Sequence, residues 1–336
     1  MKIGIIGSGS WGCALAKVVA ENGHDVTVWS VHEEQSRMLA TEHEHKTKLP
    51  GIRLPEGIVY TTDMQTACEG KELLVMASPS VHVRSVARQM KNDVNQGTIV
   101  VDVAKGIEEN TLLPMGDILA EELPGARIAV LSGPSHAEEV GRAMPTAIVS
   151  AARSRSVAEC VQSVFMNEYF RVYTSPDVLG VELGGSLKNV IALAAGMADG
   201  LKTGDNTKAA LITRGIKEIT ELAVAMGAKE ETVEGLSGMG DLIVTCASVH
   251  SRNRKAGMLM GEGYTMQEAM EEVHMVVEGV YSAKAAKKLG EKYRVELPII
   301  EAVNRVLFEG QSVRDGMYEL MQRDKKSEHT HLVWEE

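Results

Sequence analysis

The sequence predicts an α/β protein, with a doubly wound, mostly parallel sheet in its N-terminal half and an all-α C-terminal half. Three observations predict it. Short β-rich runs alternate with helical or turn segments through the first half, a rhythm that builds parallel sheets covered by helices. From about Val181 the pattern changes to long helices with capped ends. A glycine-rich turn, Gly7-Ser8-Gly9-Ser10-Trp11-Gly12, stands between the first strand and the first helix.

The strand candidates are Ile3–Ile6, Asp25–Trp29, Leu73–Ala77, Thr98–Asp102, Arg127–Leu131 and Thr146–Ser150, with Arg171–Thr174 as an edge strand. In the second half, Thr265 and Glu268 have capping-box spacing, Pro298 marks a helix start, and Gly227 and Gly310 mark helix ends. The division read from this is residues 1–180, residues 181–322 and a polar tail, 323–336, carrying Trp334. No internal repeat or low-complexity tract interrupts it.

At 336 residues and 44% apolar composition, the chain is long enough for two domains with cores of their own. A net charge of -11 disfavours nucleic acid and anionic membranes, so local cations must hold any anionic ligand. The N-terminal apolar run is too short for a signal peptide, and the longest later stretch, Val190 to Ala198, is far below the ~20 residues of a membrane span. A cytoplasmic protein without membrane insertion is expected. Cys13, Cys68, Cys160 and Cys246 lack metal-ligand spacing and read as reduced structural thiols, with no metal site.

The glycine turn carries a mechanism because of its context. Gly7, Gly9 and Gly12 permit a tight turn and let the backbone approach a pyrophosphate at a helix N-terminus, the Rossmann-like arrangement. An acid at the end of the second strand would bond a ribose 2′-hydroxyl and select NAD. Here that strand ends Val28-Trp29-Ser30-Val31-His32, with no acid before Glu33. NADPH is therefore the expected preference and NAD the alternative, with Ser30 or His32 as donors to a 2′-phosphate and Glu33 still within reach of the ribose.

In the segment Val181 to Leu201, Gly184, Lys188 and Ala192 share one helix face, beside a greasier stripe of Leu183, Leu187 and Ile191. Lys188 thus sits among small neighbours where a ligand or a second domain could come close. Partial burial lowers a lysine's pKa and suits it to acid–base work, whereas a lysine snorkelling to solvent would do none. Asp241, after Gly238-Met239-Gly240, offers a carboxylate to orient that lysine, and Thr245 lies one turn on. Ser251-Arg252-Asn253-Arg254 offers donors suited to a phosphate, although such basic runs are usually solvated surface. Lys105, and Ser132 to Ser135, follow strands and should line the carboxyl edge of the sheet, where ligands of doubly wound sheets bind.

With these residues in order, the chain resembles bacterial NAD(P)-dependent glycerol-3-phosphate dehydrogenase over nearly its whole length. The resemblance rests on the glycine turn, Leu49-Pro50-Gly51, Ala104-Lys105-Gly106-Ile107-Glu108, Ser132 to Ala137, Glu182 to Asn189, Gly204-Asp205-Asn206-Thr207-Lys208, Gly240-Asp241-Leu242, Ser251 to Arg254 and Val277-Glu278-Gly279. It implies reversible reduction of dihydroxyacetone phosphate to sn-glycerol 3-phosphate, feeding glycerophospholipid synthesis, with Lys188 as proton donor and acceptor. It also implies substrate contacts from Lys105, Gly133, Ser135, Asp241, Ser251, Arg252 and Asn253. Cofactor contacts would come from Ser10, Trp11, His32, Lys105, Ala137, Arg252, Val276 and Glu278. Lys105 and Asn189 would add donors at the reacting oxygen. Departures include Ser8 and Ala104, where alanine and serine are common, and Lys202-Thr203, where apolar residues are usual. The predicted partners are small molecules, and the assembly is left open to a homodimer. The rival readings are a 3-hydroxyacid or 6-phosphogluconate-type dehydrogenase and a non-catalytic NADPH-sensing module.

Overall fold

A computed structural model describes residues 1–325, 327, 328 and 335, so Trp334 lies outside the described residues. Among the described residues there are ten strands: β1 (Lys2–Ile6), β2 (Asp25–Trp29), β3 (Glu44–His45), β4 (Leu49–Arg53), β5 (Val59–Thr61), β6 (Leu73–Met76), β7 (Ile99–Asp102), β8 (Arg127–Ser132), β9 (Thr146–Ala152) and β10 (Phe170–Ser175). Eight of them form one sheet in the order β10-β9-β8-β7-β6-β1-β2-β5, with β10 at the edge as expected. All neighbouring pairs are parallel except β8 with β9.

The chain leaves β1 for β2 on one side and returns to β6 on the other, so the order reverses beside the glycine turn, the place where open α/β sheets bind ligands. Register aligns Trp29, Ile6, Met76, Asp102 and Val130 across five strands. The loops that follow those residues therefore open on one edge.

The central strands read as continuous apolar runs because both faces are covered: every residue of β6 and of β7 is buried. The short hairpin β3–β4 and the strand β5 are additions to the sequence reading. β5 has three residues, none of them buried, and β4 contains Pro50-Gly51, so neither shows a strand's apolar alternation.

The helical half is built round Val178–Gly200, a 23-residue helix. It begins ahead of Val181, where the pattern changes, because the Asp177 carboxylate caps it by accepting from the Gly180 N–H at 3.0 Å. By length and composition this helix could cross a membrane, with a mean hydropathy of 1.4, so the apolar segment is longer than Val190 to Ala198 suggests. Its place is the core: 89% of the apolar window is buried.

The Thr265/Glu268 capping box forms, Pro298 opens its helix, and Gly227 and Gly310 follow helix ends with φ of +103° and +74°.

The most extensive contact between two elements joins the long helix to the helix Arg252–Gly261. Four glycines make it close. A Cβ on Gly196 or Gly200 would land on the Arg254 or Met258 carbonyl oxygen, and one on Gly257 or Gly261 on the Leu193 or Met197 carbonyl oxygen. The two backbones thus touch with nothing between them.

Candidate active site

A cleft of about 790 Å³ runs from the glycine turn to the middle of the long helix. At the sheet end, Gly7 has φ +127°, a conformation that glycine adopts without strain, and a Cβ on Gly12 would strike the Gly7 carbonyl. A Cβ on Gly9 would meet nothing within 4 Å, so open space lies over that backbone. The helix Ser10–Glu21 has no side-chain cap, and its first N–H groups are left for a ligand. This cradle fits a pyrophosphate. Gly7, Gly9, Ser10, Trp11 and His32 line the cleft here, while Gly12 sits behind them as packing.

At β2, Glu33 turns away to Arg37 (2.9 Å), both side chains being well exposed. The Ser30 hydroxyl closes on the His32 backbone, donating to its carbonyl at 3.2 Å and accepting from its N–H at 3.3 Å. Of the two donors expected for a 2′-phosphate, Ser30 is thus occupied locally and His32 remains on the cleft wall.

The opposite end is a buried cluster on Asp241. Lys188 is 5% exposed and Asp241 1% exposed. The Lys188 ammonium donates to one Asp241 oxygen and, at 2.7 Å, to the Thr245 hydroxyl. Lys105 donates to the other Asp241 oxygen at 2.6 Å and to the Gly133 carbonyl at 3.1 Å. Asp241 therefore bridges two lysines, one from each half of the chain.

Local structure explains how they meet. The Asp102 carboxylate accepts from the Ala104 N–H at 3.0 Å and fixes the turn that presents Lys105. The Gly184 face admits the π-helical turn Leu236–Gly240 rather than a ligand or another domain: a Cβ on Gly184 would lie 2.9 Å from the Gly238 Cα. Gly184 is thus what lets Asp241 reach Lys188. The neighbouring face serves the sheet, since a Cβ on Gly185 would lie 2.6 Å from the Ser132 hydroxyl.

Burial, reinforced by the nearby charge of Lys105, brings the Lys188 ammonium down to about 7 despite the pull of Asp241. For Asp241, burial pushes the carboxyl up, but the two ammonium groups outweigh it and hold it below its ordinary value. Each lysine has three N–H donors and uses two on the protein, leaving one apiece. Lys188 and Lys105 both line the cleft; Asp241 and Gly133 stand behind its wall.

Ser251 caps its helix by accepting from the Arg254 N–H at 3.2 Å, which leaves its hydroxyl hydrogen free. Arg254 is held by Asp199 at 2.7 Å and is structural. Arg252 is exposed and bonds only the Val276 carbonyl, at 3.1 Å, among the described residues. The Asn253 amide donates to Asn189 at 2.9 Å and accepts from the Gly279 N–H at 2.8 Å, so it fixes the orientation of Asn189. Ser135 donates to the Gly133 carbonyl at 2.9 Å and, with Ala137, lines the middle of the cleft. Glu278 accepts from the Ser80 N–H at 3.1 Å and from the Ser80 hydroxyl, a tie across 198 positions that clasps the helical half to the loop after β6.

Sequence reasoning missed His136, one residue beyond the segment Ser132 to Ser135. It lines the cleft and is held below its ordinary pKa by burial and by Lys188. It also missed Lys48, which lies in the unassigned hairpin and lines the cleft near β2.

Comparison with known proteins gives the family. Two family models match: the N-terminal part of NAD-dependent glycerol-3-phosphate dehydrogenase over residues 2–158 and its C-terminal part over residues 177–318. The chain is 62% identical to glycerol-3-phosphate dehydrogenase [NAD(P)+] of Agathobacter rectalis, covering 99% of both chains. It is 56% identical to the Fusobacterium nucleatum enzyme of the same name, covering 98% of both. The crystal structure of glycerol-3-phosphate dehydrogenase from Coxiella burnetii superposes with a TM-score of 0.92 at 36% identity, covering 96% of this chain and 99% of that one. A ketopantoate reductase from Ralstonia eutropha shares the fold alone, at 16% identity and a TM-score of 0.61. The chain belongs to the NAD-dependent glycerol-3-phosphate dehydrogenase family.

Proposed function

We propose that the protein is an NAD(P)-dependent oxidoreductase that reversibly reduces dihydroxyacetone phosphate to sn-glycerol 3-phosphate, with Lys188 as the proton donor. The observation that carries the assignment of roles is the Lys188–Asp241–Lys105 cluster at the far end of the cleft from the pyrophosphate cradle. Ser10, Trp11 and His32, with the glycine turn, would hold a nicotinamide cofactor, which would supply or accept the hydride at C2 of the substrate. Lys188 hands its free proton to the oxygen on C2 as negative charge grows there, and takes it back in oxidation. The spare donors of Lys105 and Asn189 stabilise that oxygen, each such donor being typically worth ~3 kcal/mol. Asp241 keeps both ammonium groups aimed. The unpaired side of the Arg252 guanidinium, helped by Ser251, anchors the phosphate, whose binding energy positions C2.

The proposed cofactor preference is NADPH over NADH. With Glu33 turned to Arg37, no carboxylate at the end of β2 repels a 2′-phosphate.

The direct test is loss of NADPH absorbance on adding dihydroxyacetone phosphate, repeated with NADH and with 3-hydroxyacid and 6-phosphogluconate substrates in the reverse direction. Consumption of neither cofactor with dihydroxyacetone phosphate refutes the assignment. The same assay reads the proton donor. Reduction needs Lys188 charged and oxidation needs it neutral, so kcat for reduction should fall, and kcat for oxidation rise, as pH climbs through about 7. Profiles of the same sign in both directions would remove Lys188 from the proton transfer. Arg252→Ala should raise KM for dihydroxyacetone phosphate by about tenfold or more, with a smaller change in kcat, as expected for loss of a charge-assisted contact. An unchanged KM would place the phosphate elsewhere.

A further inference from the structure

The hairpin β3–β4 carries a cation with no partner among the described residues. Between residues 30 and 60 the chain has Arg37, Lys46, Lys48 and Arg53. Arg37 pairs with Glu33, Lys46 with Glu42 and Arg53 with Glu56. Lys48 alone of the four has no carboxylate and no hydrogen-bond acceptor for its ammonium among the described residues. It is also the one of the four that lines the cleft, as Ser30, His32 and Gln35 do.

Its position is built from the glycine turn outward. The Gln35 amide donates to the Ser8 carbonyl oxygen and to His45 Nε2, both at 2.6 Å, which leaves the proton of a neutral ring on Nδ1, 3.4 Å from the Thr47 hydroxyl. The His45 ring is 2% exposed, and burial, with the Lys48 charge, keeps it neutral at physiological pH. A strut of Gln35 and a neutral imidazole thus straps the hairpin to the turn that cradles the pyrophosphate. A phosphate on the adjoining ribose would fall at the end of β2, and the hairpin carrying Lys48 is tied through His45 to Gln35, in the first turn of the helix that follows β2.

We propose that Lys48 is the residue that recognises a ribose 2′-phosphate and so sets NADPH above NADH. The proposal rests on the cofactor reading given above. A lysine suits the task because a phosphate monoester dianion needs a point charge more than a planar fork, and an ammonium already free of carboxylates gives up no ion pair to meet it.

The test is calorimetric titration of the full-length protein with NADPH and with NADH, for the parent protein, Lys48→Gln and Lys48→Arg. Lys48→Gln should weaken NADPH by roughly 10- to 100-fold and leave NADH within about twofold. Lys48→Arg should recover most of the loss, since it restores the charge. Equal weakening of both nucleotides would place Lys48 on the pyrophosphate and overturn the proposal, as would no change in either. A parent protein that binds NADH more tightly than NADPH would refute the NADPH preference alone; Lys48 is still judged by the selective loss in Lys48→Gln.

Discussion

Lys188→Met should lower kcat for dihydroxyacetone phosphate reduction by at least ~10³-fold while leaving the affinity for NADPH within a few-fold. The magnitude combines general-acid catalysis, typically 10²–10⁴-fold, with the loss of a charged donor at the reacting oxygen. Stability should be little affected, for a reason visible in the cluster. Asp241 is shared, so removing Lys188 leaves its carboxylate paired with Lys105, and the thioether fills the space of the lysine stem. Asp241→Asn is the contrast, because it leaves the buried Lys188 ammonium and the half-buried Lys105 ammonium without a counter-charge, the expensive way to break a buried pair. Stopped-flow or steady-state absorbance gives kcat, and fluorescence quenching gives NADPH affinity. Retention of a tenth or more of the activity in Lys188→Met would end its assignment as proton donor.

The second large effect is at a position that touches no ligand. Gly257→Val should destabilise the protein by about 3 kcal/mol and cut kcat/KM together with it, because a side chain there lands on the Leu193 carbonyl and the two helices must part. Lys188 and Asn189 lie on one of those helices, Arg252 and Asn253 on the other, so their separation changes the distance from proton donor to phosphate anchor. Gly57→Ala is the control: its Cβ would meet nothing within 4 Å and its φ is not positive, so stability should hold or rise slightly. Denaturant midpoints of the two variants decide the matter, and a Gly257→Val midpoint equal to that of Gly57→Ala would show that the helices have slack.

The parts of this architecture legible in the sequence are those with a local signal. Asp25–Trp29 is a β-rich run bounded by turns, and the Thr265/Glu268 box announces its own helix. Lys188 stood out because small residues surround it on a helix face. What could not be read is pairing at a distance. Lys105 and Asp241 are 136 positions apart, and nothing in either segment says that one carboxylate serves both lysines. The role of Gly184 was legible as close approach, but not what approaches. Arg254 and Arg252 look alike in the sequence, and only the fold gives the first to Asp199 and leaves the second exposed, with one bond to the Val276 carbonyl. The hairpin holding Lys48 was invisible because its strands are two and five residues long and one contains Pro50-Gly51.

The long helix has a consequence beyond the reaction. By length and mean hydropathy alone Val178–Gly200 would pass for a membrane span, as the buried core helix of a globular protein also can. Lys188 lies near its middle, where a lysine carries an insertion penalty of about 3 kcal/mol. The charge required for proton transfer is therefore also the charge that opposes partition of this segment into a bilayer during synthesis. A variant that replaces it with an apolar residue loses both at once.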